Sequence, residues 1–346
     1  MNDICFSILI PAYNAKSYVE DAVNSVLVSC AGLRGRDRAV EILIVDDGSV
    51  DGTGQLADTI ALNNSSEECV IRVIHQENRG HGGAINAGVE EINGGYFMVL
   101  DADDAVASDG IKSVCETAAD STPDLMILGE DRWYEDSDIV ESYRVPEELL
   151  GSDMDAGRKL TDLKFVTDNW NTELRYLFNM HCMVFNTAFF RSLNIKLPEK
   201  VYYDDAYYFI VAAAYAKSVM LEHGLLYRYR LGNPNQSVSV ENRVKRLSQH
   251  ERVIDSIMAE YPNVQKAGDS AFFYYRLRLC GVVTDYLVTA LLRCDDRAYG
   301  RKSSKLMMKK FKNIKIPKLV RNYLVLRGMN LMHMGEKQFG RLIGRK

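Results

Sequence analysis

Residues 96–104 read YFMVLDADD, a five-residue apolar run that stops at Asp101 and continues into two further aspartates. Five residues are too few for a helix, and the run fits a strand buried on both faces. Three upstream runs have the same character: 4–10, ICFSILI, ending at Pro11; 41–46, EILIVD; and 69–75, CVIRVIH. Between them the period changes from a continuous run to 3.6. Tyr18, Ala22, Val23, Val26 and Cys30 share one face of a helix, and a second helix starts at Asp51 or Thr53. A third follows Gly80-His-Gly-Gly, with Ile85, Val89 and Ile92 on one side. Strands alternating with helices predict a mostly parallel α/β sheet with helices on both faces, a Rossmann-like arrangement. Ligands of such sheets bind beyond the carboxyl ends of the strands. The polar clusters fall at those ends: Tyr13-Asn14, Asp46-Asp47-Gly48, Asn78-Arg79-Gly80, and Asp101 with Asp103 and Asp104.

The chain is 346 residues long, 47% hydrophobic and 26% charged, enough for a sizeable core and too apolar for wholesale disorder. Seven scattered cysteines with no CxxC pair argue against a disulfide scaffold or zinc module and for reduced thiols. The first residues lack a secretory pattern, and the longest clean apolar run, Ala206 to Ala216, is too short to cross a bilayer. A cytoplasmic protein is expected. Charge is unevenly spread. Residues 301–346 carry fourteen Lys and Arg against Glu336 alone, a net of +13, while the whole chain is −5. After Pro317, Leu319, Val320, Tyr323 and Leu324 recur at helical spacing, with Lys318 and Arg321 on the other side. That pattern has two readings: a basic amphipathic helix at the inner face of a membrane, or a helix packed on its own domain with a solvated basic face.

Three carboxylates crowded at one strand end repel one another unless a cation sits between them. A hard divalent ion, Mn²⁺ or Mg²⁺, shared between carboxylates and substrate phosphates relieves that repulsion. Solvated loop acids or a helix cap are the simpler reading of an isolated DxD, but this one faces a second acidic strand end. No GxGxxG follows the first strand and no GxxxxGK[ST] occurs, which disfavours dinucleotide and P-loop chemistry.

SILIPAYN, EILIVDDGSVDGT, ENRGHGGAINAG and YFMVLDADD, in this order and spacing over residues 4–104, resemble the family 2 glycosyltransferases of the GT-A fold. Tyr202-Tyr-Asp-Asp205 and Tyr227-Arg-Tyr-Arg, followed by Asn235-Gln-Ser237-Val-Ser239, extend the resemblance to about residue 240. It implies inverting transfer of a sugar from a nucleotide-diphosphate donor, a UDP-sugar by family tendency. The acceptor hydroxyl would belong to a saccharide or lipid-linked saccharide in surface polysaccharide or glycolipid synthesis. Nucleic acid is not an expected partner. Carried over by position, Pro11, Ala12 and Tyr13 line the nucleobase pocket, Asp47 accepts from the uracil ring, Asp101 approaches the ribose and Asp103 binds the metal. Arg79, Gly83, Asn86 and Ala102 complete the expected donor site, with Arg79 or His81 on the diphosphate. Asp205 is the expected catalytic base, with Asp204 second, because an acceptor hydroxyl must lose its proton as it attacks. The chain departs from the commoner family pattern in having Asp204-Asp205 for Glu-Asp and in its glycine-rich 80–83 stretch.

Residues 1–115 are expected to form the donor half of the catalytic domain, 116–240 the acceptor half with the base, and 241–346 a mainly helical C-terminal region. Trp170 and His181 precede the base, where an acceptor site would be built. Either could instead be a core residue, and His181 could also be a metal ligand. Arg228 and Arg230 suit phosphate oxygens or nearby acids. Two other functions remain open at this stage. A metal-dependent phosphohydrolase or phosphotransferase would use DADD as its cluster, and a non-catalytic nucleotide- or glycan-binding protein would keep the fold without turnover.

Overall fold

The structure, a computed structural model, describes residues 4–31, 33, 39–134, 139–151, 157–170, 172–232 and 240–336. The Asn235–Ser239 motif and residues 337–346 of the basic tail lie outside these. The chain divides into two compact units, one of residues up to Lys200 with Asp204–Gly232, the other of Val201–Tyr203 with the chain from 233 onward.

The first unit is built on one sheet. Its ten strands among the described residues are β1 (Ile4–Ala12), β2 (Ala39–Asp46), β3 (Cys69–His75), β4 (Tyr96–Val99), β5 (Ala105–Val106), β6 (Leu125–Tyr134), β7 (Val140–Tyr143), β8 (Arg158–Thr161), β9 (Met183–Asn186) and β10 (Val219–Leu231). They are ordered β3-β2-β1-β4-β9-β6-β10-β5, with β7 on β6 and β8 on β10. The four runs read as strands from sequence are β1 to β4, and they pair in parallel. Phe6, Ile8 and Ile10 of β1, with Val40, Ile42 and Ile44 of β2, pack with Val19, Ala22, Val23 and Val26 of the helix Val19–Cys30. Leu9 faces the other side, against Gly88 of the helix His81–Glu91, where an added Cβ would come within 2.1 Å of a Leu9 methyl. Burial on both faces explains why these strands read as continuous runs rather than alternating ones.

The sheet is not parallel throughout. β9 enters between β4 and β6 and runs antiparallel to both. This insertion puts a segment from late in the chain beside the end of β4.

The second unit is helical, as residues 241–300 predict: Val240–Lys245, Leu247–Ala259, Tyr261–Ala267, Asp269–Val288 continuing as a π-type turn to Arg293, Arg297–Lys310 and Pro317–Leu331. No helix among the described residues is long and apolar enough to cross a membrane. Helix Arg297–Lys310 meets the preceding segment at Gly300, where a Cβ would sit 1.8 Å from the Ala290 carbonyl oxygen. Backbone cannot yield there as a flexible side chain would. Gly300→Ala is therefore expected to destabilise the protein by about 1–3 kcal/mol, read as a lowered urea midpoint at unchanged m-value.

The helix after Pro317 differs from the four-residue stripe expected of it. Leu319 is buried together with Leu326 and Met329, whereas Val320 and Leu324 are exposed. Leu319 and Val320 are adjacent, about 100° apart on a helix, so packing one leaves the other outward.

Candidate active site

Register assembles the site. In β1 and β2, Ala12 stands opposite Asp46, and in β2 and β3, Asp46 stands opposite His75, so three strands end level. β4 pairs Val99 with Leu9, and the Leu100 N–H donates to the Leu9 carbonyl at 2.9 Å. Asp101 therefore arrives at the same rim. Across the antiparallel pair Tyr96 faces Asn186 and Phe97 faces Phe185. Continuing that count outward carries Asp101 towards His181, which precedes β9 in a turn capped by the Asn179 side chain. β6 pairs Ile127 with Met183, bringing Glu130 alongside the same turn. β10 pairs Tyr227 with Glu130 and with Val106 of β5, so Tyr227 and Arg230 reach the DADD loop.

His81 joins the two acidic groups that the sequence left apart. Its Nε2 lies 3.0 Å from Asp101 Oδ1 and its Nδ1 2.9 Å from Asp204 Oδ2. Burial opposes charge on this imidazole, but Asp204 and Asp101 outweigh it and hold its pKa well above the usual value. Burial likewise works against ionisation of Asp101, yet His81 and His181 lower its pKa on balance.

The second imidazole, His181, stacks on Tyr227 with centroids 4.4 Å apart. Its Nδ1 is 3.1 Å from Glu130 Oε2 and its Nε2 3.9 Å from Asp101 Oδ2. Burial lowers its pKa, but Glu130, Asp104 and Asp101 raise it further, to about 9. Glu130 is fully buried and also takes donors from Arg132 and Asn179. The Tyr227 hydroxyl accepts from the Asp101 N–H at 3.2 Å and donates to Asp104 Oδ2 at 2.6 Å, while the Arg230 N–H donates to Asp104 Oδ1 at 2.8 Å. Burial and the Asp101 carboxylate push the Asp104 pKa well up.

Ligand atoms of Asp101, Asp104 and His181 lie within 4.8 Å of one another. Two carboxylates and an imidazole are a donor set that Mn²⁺ accepts. Asp103, the residue expected to hold the metal, is not in that trio. It is half-buried beside it, its pKa raised by burial and by Asp101.

Asp205 begins the helical segment Asp205–Ala214. Burial, then the neighbouring Asp204, push its pKa up to about 6, and it is close enough to His81, His181 and Asp101 to feel their charges. The two adjacent acids are thus differentiated. Asp204 is buried and held by His81, whereas the carboxyl of Asp205 is the one that burial and its neighbour raise.

The remaining expected residues divide by what they touch. Tyr13 is 52% exposed at the end of β1, next to buried Pro11 and Ala12. Asp47 is buried and accepts from Gln76 Nε2 at 2.6 Å and from the N–H groups of Arg79 and Gly80 at 2.8 Å each, fixing the 76–80 loop. Arg79 pairs with Glu199, a partner 120 residues away that no local spacing reveals. Asn86 is buried rather than on a helix surface. Its Nδ2 donates to the Leu197 carbonyl at 3.0 Å and its Oδ1 accepts the Leu197 N–H at 2.8 Å, strapping residues 197–200 to the helix His81–Glu91. The glycines leave room for that strap. Gly80 has φ +78° and sits against the Lys200 backbone, and a Cβ on Gly82 would come 2.4 Å from the Pro198 carbonyl oxygen. At Gly83 a Cβ would strike Arg79 Cβ. Buried Ala102 lies in the DADD turn. Trp170 packs against Phe178 at 5.5 Å. Arg228 and Arg230 lie over Trp133 at 5.9 and 5.2 Å, and Arg230 also over Tyr18 at 5.6 Å.

Sequence reasoning missed Glu130, Glu199 and the bridging hydroxyl of Tyr227. Glu130 did carry a signal, an acid directly following the apolar run LMILG.

A protein-family model described as glycosyl transferase family 2 matches residues 7–191. The uncharacterized glycosyltransferase EpsJ of Bacillus subtilis (strain 168) is 28% identical over 237 residues, covering 68% of this chain and 63% of that protein. The minor teichoic acid biosynthesis protein GgaA of the same organism is 31% identical over 121 residues, 34% of this chain and 25% of GgaA. The chain thus spans less than two thirds of the length of the curated relatives it matches. Among solved structures, S. aureus TarS in complex with UDP-GlcNAc aligns with a TM-score of 0.56 at 15% identity, over 96% of this chain and 93% of that one. The shared architecture is of the GT-A type.

Proposed function

From the premise that this chain belongs to glycosyl transferase family 2, we propose that it moves a sugar from a UDP-sugar, with inversion, to a hydroxyl of a saccharide or lipid-linked saccharide acceptor. The observation that carries this reading is the meeting of Asp101, Asp104 and His181 with Asp205 at one rim of the sheet. Uridine as the base draws support from the UDP-GlcNAc bound by TarS, and a role in surface polymer synthesis from the name of GgaA.

Pro11, Ala12 and the exposed ring of Tyr13 form the floor and wall for the base. Asp47 already accepts three donors, only one of them on Oδ2, which retains a lone pair for the uracil N–H. Asp101 and Ala102 take the ribose side, with Gly83 and the Asn86 strap keeping Arg79, Gly80 and the first turn of the helix His81–Glu91 in place. Asp101, Asp104 and His181, with Asp103 beside them, would hold a divalent cation, which when bound offsets the charge that grows on the departing diphosphate. Asp205 takes the acceptor proton as the acceptor oxygen forms its bond to the anomeric carbon. The bond from that carbon to the diphosphate oxygen breaks, and its electron pair leaves with UDP. His81 holds Asp204 and Asp101 at fixed separation, tying the base side to the donor side. Trp170, Arg228 and Arg230 are the proposed acceptor and phosphate contacts. Residues 1–115 and 116–240 act as donor and acceptor halves, and residues 241–346 add the basic helical region.

The test is UDP release from a panel of UDP-sugars with Mn²⁺, alongside thermal shifts with the same ligands. Slow UDP release without acceptor, stimulated by a saccharide, is expected. Stabilisation by UDP without turnover on any donor would overturn catalysis, and phosphate release from a simple phosphomonoester would point to hydrolase chemistry instead.

A further inference from the structure

Within the helical unit, Arg297–Lys310 and Pro317–Leu331 form an antiparallel hairpin. Arg301 Nη1 donates to Asn330 Oδ1 and Arg297 Nη1 to the Asn330 carbonyl, both at 2.9 Å, joining the start of one helix to the end of the other. Both helices lay their packed faces on the segment 269–293. Gly300 abuts Ala290, Asn322 Nδ2 donates to Thr284 Oγ1 at 3.2 Å, and Asn330 Nδ2 donates to the Leu291 carbonyl at 2.6 Å. Their opposite faces therefore look away from that segment.

Those outward faces are apolar as well as basic. On the first helix exposed Leu306 is surrounded at helical spacing by exposed Lys302, Lys305 and Lys309. On the second, Val320, Leu324 (61% exposed) and Leu331 (59% exposed) fall within about 40° of one another at ~100° per residue. Lys318, Arg321 and Arg327 are exposed on the same helix. Among the described residues none of these six cations is in an ion pair. A helix that is buried along one face and apolar along the opposite one has a second surface to cover.

We propose that this hairpin face docks on an anionic lipid bilayer, with Leu306, Val320, Leu324 and Leu331 at the acyl boundary and the flanking lysines and arginines among the headgroups. Charge complementarity selects the occupant. A second copy of the face would be repelled, and a nucleic acid would meet the cations but leave the leucines in water. The inference is independent of the transfer reaction proposed above.

The test floats the full chain with vesicles of phosphatidylcholine containing about a third phosphatidylglycerol, against phosphatidylcholine alone. Binding to the anionic vesicles only is expected. Leu324→Glu with Leu331→Glu, and separately Lys302→Glu with Lys305→Glu and Lys309→Glu, should each weaken partitioning by about tenfold or more. Unchanged melting midpoints and unchanged UDP release in lipid-free buffer would show that the variants fold. No flotation of the native chain, or flotation unaltered by the leucine pair, would overturn the proposal. So would binding to an RNA oligonucleotide that matches vesicle binding and ignores the leucine pair, which would mark the face as a general polyanion site.

Discussion

Asp205→Asn is expected to slow sugar transfer by on the order of 10²–10⁴-fold, while the binding of UDP, measured by titration, stays within a few-fold of native. Asparagine keeps the shape of the side chain and removes its ability to accept a proton. The neighbouring Asp204 cannot substitute, because its Oδ2 is engaged by His81 at 2.9 Å. Burial and the Asp204 charge push the Asp205 pKa up to about 6. The reactive form is the carboxylate, so kcat/KM should fall tenfold per pH unit below about 6 and flatten above it. Tenfold more Mn²⁺ should leave this limb unmoved, since a limb caused by metal loss would shift. A pH-independent rate between 5 and 8 would remove Asp205 from the role of base.

Asp101→Ala should produce the second large loss, on the order of 10²-fold or more in Mn²⁺ affinity or in rate at fixed Mn²⁺. Asp101 is the side chain shared by both imidazoles, at 3.0 Å from His81 and 3.9 Å from His181. Its removal takes a donor from the proposed cation-binding trio and also frees His81 from one of its two acids. Transfer rates titrated against Mn²⁺ measure the effect. The same titration on Asp103→Ala tells which of the two carboxylates matters more, because Asp103 lies outside the trio. A variant at Asp101 with native Mn²⁺ dependence would contradict the assignment.

The first four strands were legible because each of their signals is local. β1 to β4 are apolar runs that stop at polar turns, and a parallel sheet brings consecutive strand ends to one rim. What stayed hidden depends on pairing between distant segments. MVFN is too short and too plain to announce an antiparallel strand, yet β9 is what brings His181 to Asp101. Residue type alone could not show that Asn86 clamps Leu197 or that Arg79 faces Glu199. The C-terminal helix was ambiguous for a physical reason: it is apolar on two sides, and a period of 3.6 fits either. Its packed side runs through Leu319, Leu326 and Met329, whereas Val320 and Leu324 are left outward.

Strand β9 spans four residues, yet its alignment with β4 and β6 selects which side chain meets the acids. A single-residue deletion there would invert the alternation of its side chains. Met180 or Cys182 would then arrive where an imidazole belongs, and buried Glu130 would keep Arg132 but lose its second charged partner. This segment therefore tolerates a change of side chain better than a change of length.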